Sequence, residues 1–162
     1  MRICEDPFSE NETENKFFKN WGFELSNFQK WAIRALLNNK HALITAHTGS
    51  GKTVPAEAAI LHFTNLGKKV IYTSPIKALT NQKFNEFSKK FPNISFGILT
   101  GDNKFNPEAD VLLMTAEILR NTLFQKKMIE CGENKNEELL SFDIDIDNEL
   151  GCVVIDEAHY IN

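Results

Sequence analysis

Ala46-His47-Thr48-Gly49-Ser50-Gly51-Lys52-Thr53 (AHTGSGKT) follows a short apolar run, Ala42-Leu43-Ile44, and precedes residues with helical apolar spacing. A loop between a strand and a helix presents a concave row of backbone N–H groups. Gly49 and Gly51 allow backbone conformations and close approaches that a Cβ would block. The first turn of the following helix adds N–H groups with no intrahelical partner and the positive end of the helix dipole. Together these make an anion site suited to phosphate. Lys52 reaches terminal phosphates as a mobile charge, and Thr53 offers its hydroxyl to magnesium. The general template is G-x-x-x-x-G-K-S/T; here Ala46 stands at its first position. The competing interpretation is an ordinary Gly-Ser turn with an exposed lysine, against which the strand–loop–helix setting speaks. Pro55 fits a helix that starts near Gly51, because a missing N–H costs little in the first turn.

The composition bounds the rest. The chain has 162 residues, 42% hydrophobic and 25% charged, which suits one globular domain. No apolar run is long enough to span a membrane, and the start, MRICEDPFSE, places acidic residues where a signal peptide needs apolar ones. Cys4, Cys131 and Cys152 are odd in number and far apart, which fits a reducing, intracellular setting rather than a disulfide framework or a zinc site. A formal net charge of −4 argues against broad electrostatic coating of nucleic acid and leaves room for a local positive groove.

Along the chain, residues 1–20 read as a polar, loose lead-in. Phe28, Trp31, Ala32, Ala35 and Leu36 follow helical spacing, with Ser26 as N-cap. His41–Ala46 reads as a buried strand, and Thr53 to about Leu66 as a helix with Gly67 just beyond it. Lys69–Thr73 reads as a strand. Ser74-Pro75 opens a helix to about Lys90, with Leu79, Phe84, Phe87 and Phe91 on one face. Ile94–Thr100 and Asp110–Met114 are further strands, Thr115 opens a helix to about Lys126, and Cys152–Ile155 is a last buried strand. Strands alternating with helices predict an α/β fold: a parallel sheet with helices on both faces. Residues 128–150 break the rhythm with many carboxylates and the alternation Phe142-Asp143-Ile144-Asp145-Ile146-Asp147. A calcium loop fails there, because Asn148 stands where it wants Gly and Val154 where it wants Glu. The expectation is an acidic surface insertion with, at most, a short edge strand.

Cys152-Val153-Val154-Ile155-Asp156-Glu157-Ala158-His159 is an apolar strand that ends in two carboxylates. Ligands of open α/β sheets bind at the carboxyl ends of strands. Asp156 can there hold magnesium, and Glu157 can take a proton from an attacking water. A phosphate loop alone binds a nucleotide; with this pair it can also cut the β–γ bond.

AHTGSGKT together with Asp156-Glu157-Ala158-His159 resembles the superfamily 2 helicases, and the intervening stretches resemble the Ski/Mtr group of DExH-box RNA helicases. Ile71–Phe84 (IYTSPIKALTNQKF) resembles its motif Ia. Leu99–Asp102 with Asn106–Ala109 resembles motif Ib, and Met114–Arg120 (MTAEILR) resembles motif Ic. Asp156–Asn162 (DEAHYIN) resembles motif II, and Phe23–Gln29 (FELSNFQ) resembles the Q motif. Ala at the first position of motif I is itself a feature of this group. The resemblance implies a three-layer RecA-like P-loop domain from residue 21 to 162, mostly parallel in its sheet and incomplete at its C-terminal end, with the acidic insertion at about 128–150.

It also implies roles. Phe23 packs on the base and Gln29 reads the adenine edge. Thr48, Gly49, Ser50, Gly51, Lys52 and Thr53 cradle phosphates, and Thr53 and Asp156 hold Mg2+. Lys52, Asp156 and Glu157 form the catalytic set, and His159 couples the nucleotide site to the rest of the machine. Pro75, Lys77, Asn81, Gly101, Asp102 and Thr115 lie along an RNA-backbone track. Several residues carry a second interpretation. Ser26-x-x-Gln29 is also capping-box spacing, Thr115 is a good N-cap in either case, Gly101-Asp102 is turn-like, and Lys77 fits a solvated lysine. Ala116 stands where the group commonly has a second threonine, and Ala158 where motif II commonly has valine.

The expected cofactors are ATP and Mg2+. The expected partner is RNA, single-stranded or as a 3′-tailed duplex, with 3′-to-5′ stepping, and no membrane. A second RecA-like domain with its arginine fingers is expected to lie outside these residues, which leaves this chain with the ATP-binding part of the motor. The alternatives are another P-loop ATPase such as a DNA helicase, or a nucleotide- or RNA-binding fragment without turnover.

Overall fold

The computed structural model describes residues 7–9, 11–132, 142 and 144–160. The chain divides into two compact units, residues 1–62 and 63–162.

The first unit is helical. Helix α1 (Glu12–Phe18) is capped by Asn11, whose side chain accepts from the Glu14 N–H at 2.9 Å. This helix lies within the expected loose lead-in and corrects that expectation. Its apolar end is the reason: Phe18, Trp21, Leu25, Ile33, Val54 and Ala58 form one buried cluster, with Phe8 and Phe17 packed against it. Helix α2 (Asn27–Leu37) follows Ser26, as expected from the spacing. Trp21 donates its indole N–H to the buried Glu57 carboxylate at 2.9 Å. Glu14 is also buried and is held by Arg34, which stacks its guanidinium on the Phe8 ring. Helix α3 (Thr53–Asn65) begins at the end of the glycine loop.

His41–Ala46 is not a strand. It is irregular, and Leu43 is 79% exposed. A strand persists only where a neighbour completes its hydrogen-bond ladder, and the first unit has no strand among its described residues.

The second unit is a five-stranded sheet in the order β3-β2-β4-β1-β5. Its strands are β1 (Lys69–Ser74), β2 (Phe96–Thr100), β3 (Asn103–Phe105), β4 (Val111–Thr115) and β5 (Leu150–Ile155). Pairings β1–β4, β1–β5 and β2–β4 are parallel; β2–β3 is an antiparallel hairpin that the sequence did not announce. Helix α4 (Lys77–Lys90) starts two residues after Pro75, with Ile76 as its N-cap residue, and α5 (Ala116–Glu130) starts at Thr115.

Alternation along the strands sorts the core into two faces. Ile71, Leu99, Leu112 and Met114 face Ile118 and Leu119 of α5. Tyr72 and Phe96 face the other way, onto Phe87 of α4. The sheet is therefore covered on both faces, which is why β2 and β4 are apolar runs and nearly all of β1, β2 and β4 is buried. The sheet confirms the expected α/β class.

Two further differences appear. β5 lies at an edge and is only half-buried, with Val153 and Ile155 exposed, rather than fully buried. Phe142 and Ile144 are in the core and not on a surface insertion. Asp145 closes a turn by accepting from the Asp147 and Asn148 N–H groups, and the Asn148 amide and these N–H groups hold its carboxyl below the usual range. Among the described residues no cluster of His, Cys, Asp or Glu could hold a metal ion; Asp143 lies outside them. Nor is any described helix long and apolar enough to cross a membrane.

Gly97 shows how tightly the β2–β3 hairpin is closed. A Cβ there would come within 2.1 Å of the Asn106 carbonyl oxygen and 2.7 Å of Leu112 Cδ2. Gly97→Ala is expected to destabilise the protein by about 1–3 kcal/mol, the usual cost of overpacking. A shift of the urea midpoint with unchanged slope checks this; an unshifted midpoint would mean that the hairpin opens at no cost.

Candidate functional site

In the first unit, the glycine loop ends at the N-terminus of α3. Gly49 and Gly51 have φ of +82° and +85°, in the left-handed region that glycine tolerates best. Gly51 has a second requirement, since a Cβ would lie 2.5 Å from the Gln29 amide nitrogen. Lys52 Nζ donates to the Ala46 carbonyl at 2.9 Å, so the ammonium already lies across the loop. The Ser50 hydroxyl is buried in the loop and has no hydrogen-bond partner in the structure. Buried hydroxyls are normally satisfied. An orphan at the mouth of an anion site fits a phosphate oxygen, so these residues fit a nucleotide.

Gln29 is 4% exposed and both ends of its amide are engaged. Its oxygen accepts from the Ser26 N–H at 2.8 Å, completing a capping box, and its nitrogen donates to the Gly51 carbonyl at 3.0 Å. The helix-cap interpretation is thus present in the structure, and the same side chain ties α2 to the glycine loop. Phe23 is 56% exposed. Gln29→Ala is expected to cost about 1–2 kcal/mol, from the lost cap and the lost tie to the Gly51 carbonyl, which keeps its bond from the Val54 N–H at 3.1 Å. Denaturant melts measure that cost. The ratio of ATP to GTP affinity measures the adenine role separately; an unchanged ratio would leave Gln29 as a cap and loop tie only.

In the second unit, the parallel strands place their carboxyl ends along one edge of the sheet. Six of the expected residues follow from that. Pro75 follows β1, Gly101 and Asp102 follow β2, Thr115 ends β4, and Asp156 and Glu157 follow β5.

Asp156 is held at three points. Its backbone N–H donates to the Thr73 carbonyl at 2.9 Å. Oδ2 accepts from the Tyr72 hydroxyl at 2.5 Å, and Oδ1 from the Glu157 N–H at 3.0 Å. Burial, and then the charge of Asp156, push the Tyr72 phenol well above its ordinary value, so it acts as a donor. A carboxylate offers about four acceptor sites, so Asp156 keeps capacity for the water shell of a cation. Glu157 has φ of +50°, a conformation uncommon outside glycine and frequent at functional turns. Its carboxylate is 3.4 Å from His159 Nδ1, and both side chains reach solvent.

On the expected RNA track, Lys77 Nζ lies 2.6 Å from Asp102 Oδ1, and Thr100 Oγ1 donates to the same oxygen at 3.0 Å. The Lys77 ammonium, with Thr100, holds the Asp102 carboxyl below its usual range. Asn81 is exposed on α4, four residues after Lys77. The Thr115 side chain makes no cap hydrogen bond to α5. Sequence reasoning missed Tyr72 as a partner of Asp156; the two are 84 residues apart, and only the β1–β5 register brings them together.

Comparison with known proteins extends these observations. The chain is 40% identical over 144 residues to the antiviral helicase SKI2 of Saccharomyces cerevisiae, covering 89% of this chain and 10% of that protein. It is 39% identical over 146 residues to the human exosome RNA helicase MTR4, covering 90% of this chain and 12% of that protein. The chain thus spans about a tenth of the length of the curated relatives it matches. Among solved structures, a hypothetical ATP-dependent RNA helicase from Sulfolobus tokodaii superposes with a TM-score of 0.54 at 18% identity, over 90% of this chain and 50% of that one. The fold is therefore that of a RecA-like helicase domain. The family model for the DEAD/DEAH box helicase matches residues 26–162. A match that begins at the α2 N-cap and takes in glycine loop, strand-end residues and carboxylate pair alike shows that the chain belongs to the DEAD/DEAH box helicase family.

Proposed function

We propose that this chain is the ATP-binding part of an ATP-dependent RNA helicase, in which hydrolysis drives movement along RNA. The observation that carries this reading is the glycine loop, with its two left-handed glycines and its buried, orphaned Ser50 hydroxyl at the start of α3. Thr48 to Thr53 bind the phosphates, and Lys52 neutralises their charge. Thr53, in the first unit, and Asp156, in the second, are each assigned to Mg2+, which would supply neutralisation of phosphate charge. Glu157 accepts the proton of the attacking water, and His159, beside it, passes the state of the site onward. Phe23 and Gln29 contact the base.

Pro75, Lys77, Asn81, Gly101, Asp102 and Thr115 contact the RNA backbone. The Lys77–Asp102 pair supports such a role for Lys77, because a cation held by an exposed carboxylate is easily given over to a phosphate. The name of the human relative, an exosome RNA helicase, favours RNA over DNA as the strand.

A second RecA-like domain completes the motor. An arginine aimed at the transferring phosphoryl group is worth orders of magnitude in rate. This chain has only Arg2, Arg34 and Arg120, and Arg34 is engaged by Glu14. The 162-residue polypeptide is therefore expected to bind nucleotide without RNA-stimulated turnover. A chain extended through a second domain is expected to hydrolyse ATP with stimulation by single-stranded RNA. Turnover assays with RNA, with DNA and with neither test the proposal. Stimulation by DNA alone would make the protein a DNA translocase, and absence of turnover in the extended chain would make it a binding module.

A further inference from the structure

We infer that Tyr72 is a positioning residue for Asp156, setting the orientation of the carboxylate that the proposed function assigns to the cation. The inference rests on that assignment and extends it to a residue of β1.

The register explains the contact. Tyr72 is paired with Val154, and Asp156 lies two residues further along the chain. Side chains two apart share a face, so Tyr72 and Asp156 are both on the face of the sheet that carries α4. The phenol is long enough to reach one pleat along.

The ring itself cannot wander. Tyr72 is 1% exposed, and it meets the edge of Phe87, which is wholly buried, at 5.3 Å between centroids. The hydroxyl position is therefore set by the core. The terminal torsion of an aspartate is otherwise broad. Here it is fixed from both sides: Oδ2 by the Tyr72 hydroxyl at 2.5 Å, and Oδ1 by the Glu157 N–H at 3.0 Å. The second of these bonds comes from a residue in the left-handed conformation, so the Glu157 turn and the buried phenol together aim one carboxylate. A hydroxyl that merely needed a partner would predict no effect on cation binding. A hydroxyl that aims the carboxylate predicts a specific one.

The test is ATP binding to this chain by calorimetry across a magnesium series and in excess EDTA, for the parent and for Tyr72→Phe, with thermal melts of both. Phenylalanine keeps the ring against Phe87 and removes only the donor. The expected result is equal ATP affinity in EDTA and a magnesium midpoint raised about tenfold, the scale of one hydrogen bond to a charged group. In an Asp156→Asn background the same change is expected to add nothing. Equal midpoints in parent and Tyr72→Phe would overturn the inference, as would an equal loss of affinity with and without magnesium. If Tyr72→Phe does not fold, Phe87→Leu loosens the ring while keeping the hydroxyl. A midpoint raised severalfold then supports the inference, and an unmoved one overturns it. A parent that binds ATP with no magnesium dependence would instead remove the proposed role of Asp156, and the inference with it.

Discussion

Glu157→Gln, in a chain extended through a second RecA-like domain, is expected to keep ATP and RNA binding and to lose hydrolysis by about a hundred- to ten-thousand-fold, the range of general-base catalysis. The amide is nearly the same size as the carboxylate and cannot take the proton of the attacking water. The substitution also spares the backbone feature of this turn. The left-handed conformation of Glu157 and its N–H bond to Asp156 do not depend on the side-chain charge. Asp156 thus keeps its orientation while the base is gone. The approach of Glu157 to His159 at 3.4 Å is weakened, but both side chains reach solvent and such exposed pairs add little to stability. Single-turnover hydrolysis with parallel binding measurements checks the split. Parental turnover in Glu157→Gln would place the base elsewhere.

Lys52→Ala is expected to weaken ATP binding by about ten- to a hundred-fold or more, corresponding to the loss of a hydrogen bond between charged groups. The fold is expected to survive. Lys52 belongs to neither apolar cluster of the two units, and its ammonium bonds the Ala46 carbonyl of its own loop. Calorimetry with ATP and magnesium measures the loss, and a melt confirms the fold. Equal affinity in variant and parent would rule out Lys52 as a phosphate ligand.

Local chemistry was enough to read the start of α2, the glycine loop, the start of α3 at that loop, and strands β1, β2 and β4. Each carries its cause within a few residues: Ser26 with Gln29, glycines before Lys52, and apolar runs bounded by polar caps. The Asp-Glu pair at the end of β5 was legible for the same reason.

Other features have causes that lie far away in sequence. His41–Ala46 is as apolar as a strand but finds no strand to pair with among the described residues of its unit, and so it stays irregular. Phe17 and Phe18 sit in a polar lead-in, yet the cluster around Trp21 and Val54 draws them in and orders α1. Phe142 and Ile144 stand among aspartates, and the β-sheet core buries them. β5 has the composition of an inner strand and lies at the edge, because strand order is set by packing and not by composition. Gln29 matched two roles by spacing, and the position of the Gly51 carbonyl decided that its amide is occupied at both ends. The bond from Tyr72 to Asp156 is the clearest case. Each residue was visible alone, as a strand aromatic and a strand-end carboxylate, but the parallel register of β1 and β5 is a property of the assembled sheet. Only that register turns a core tyrosine into the group that orients the acid.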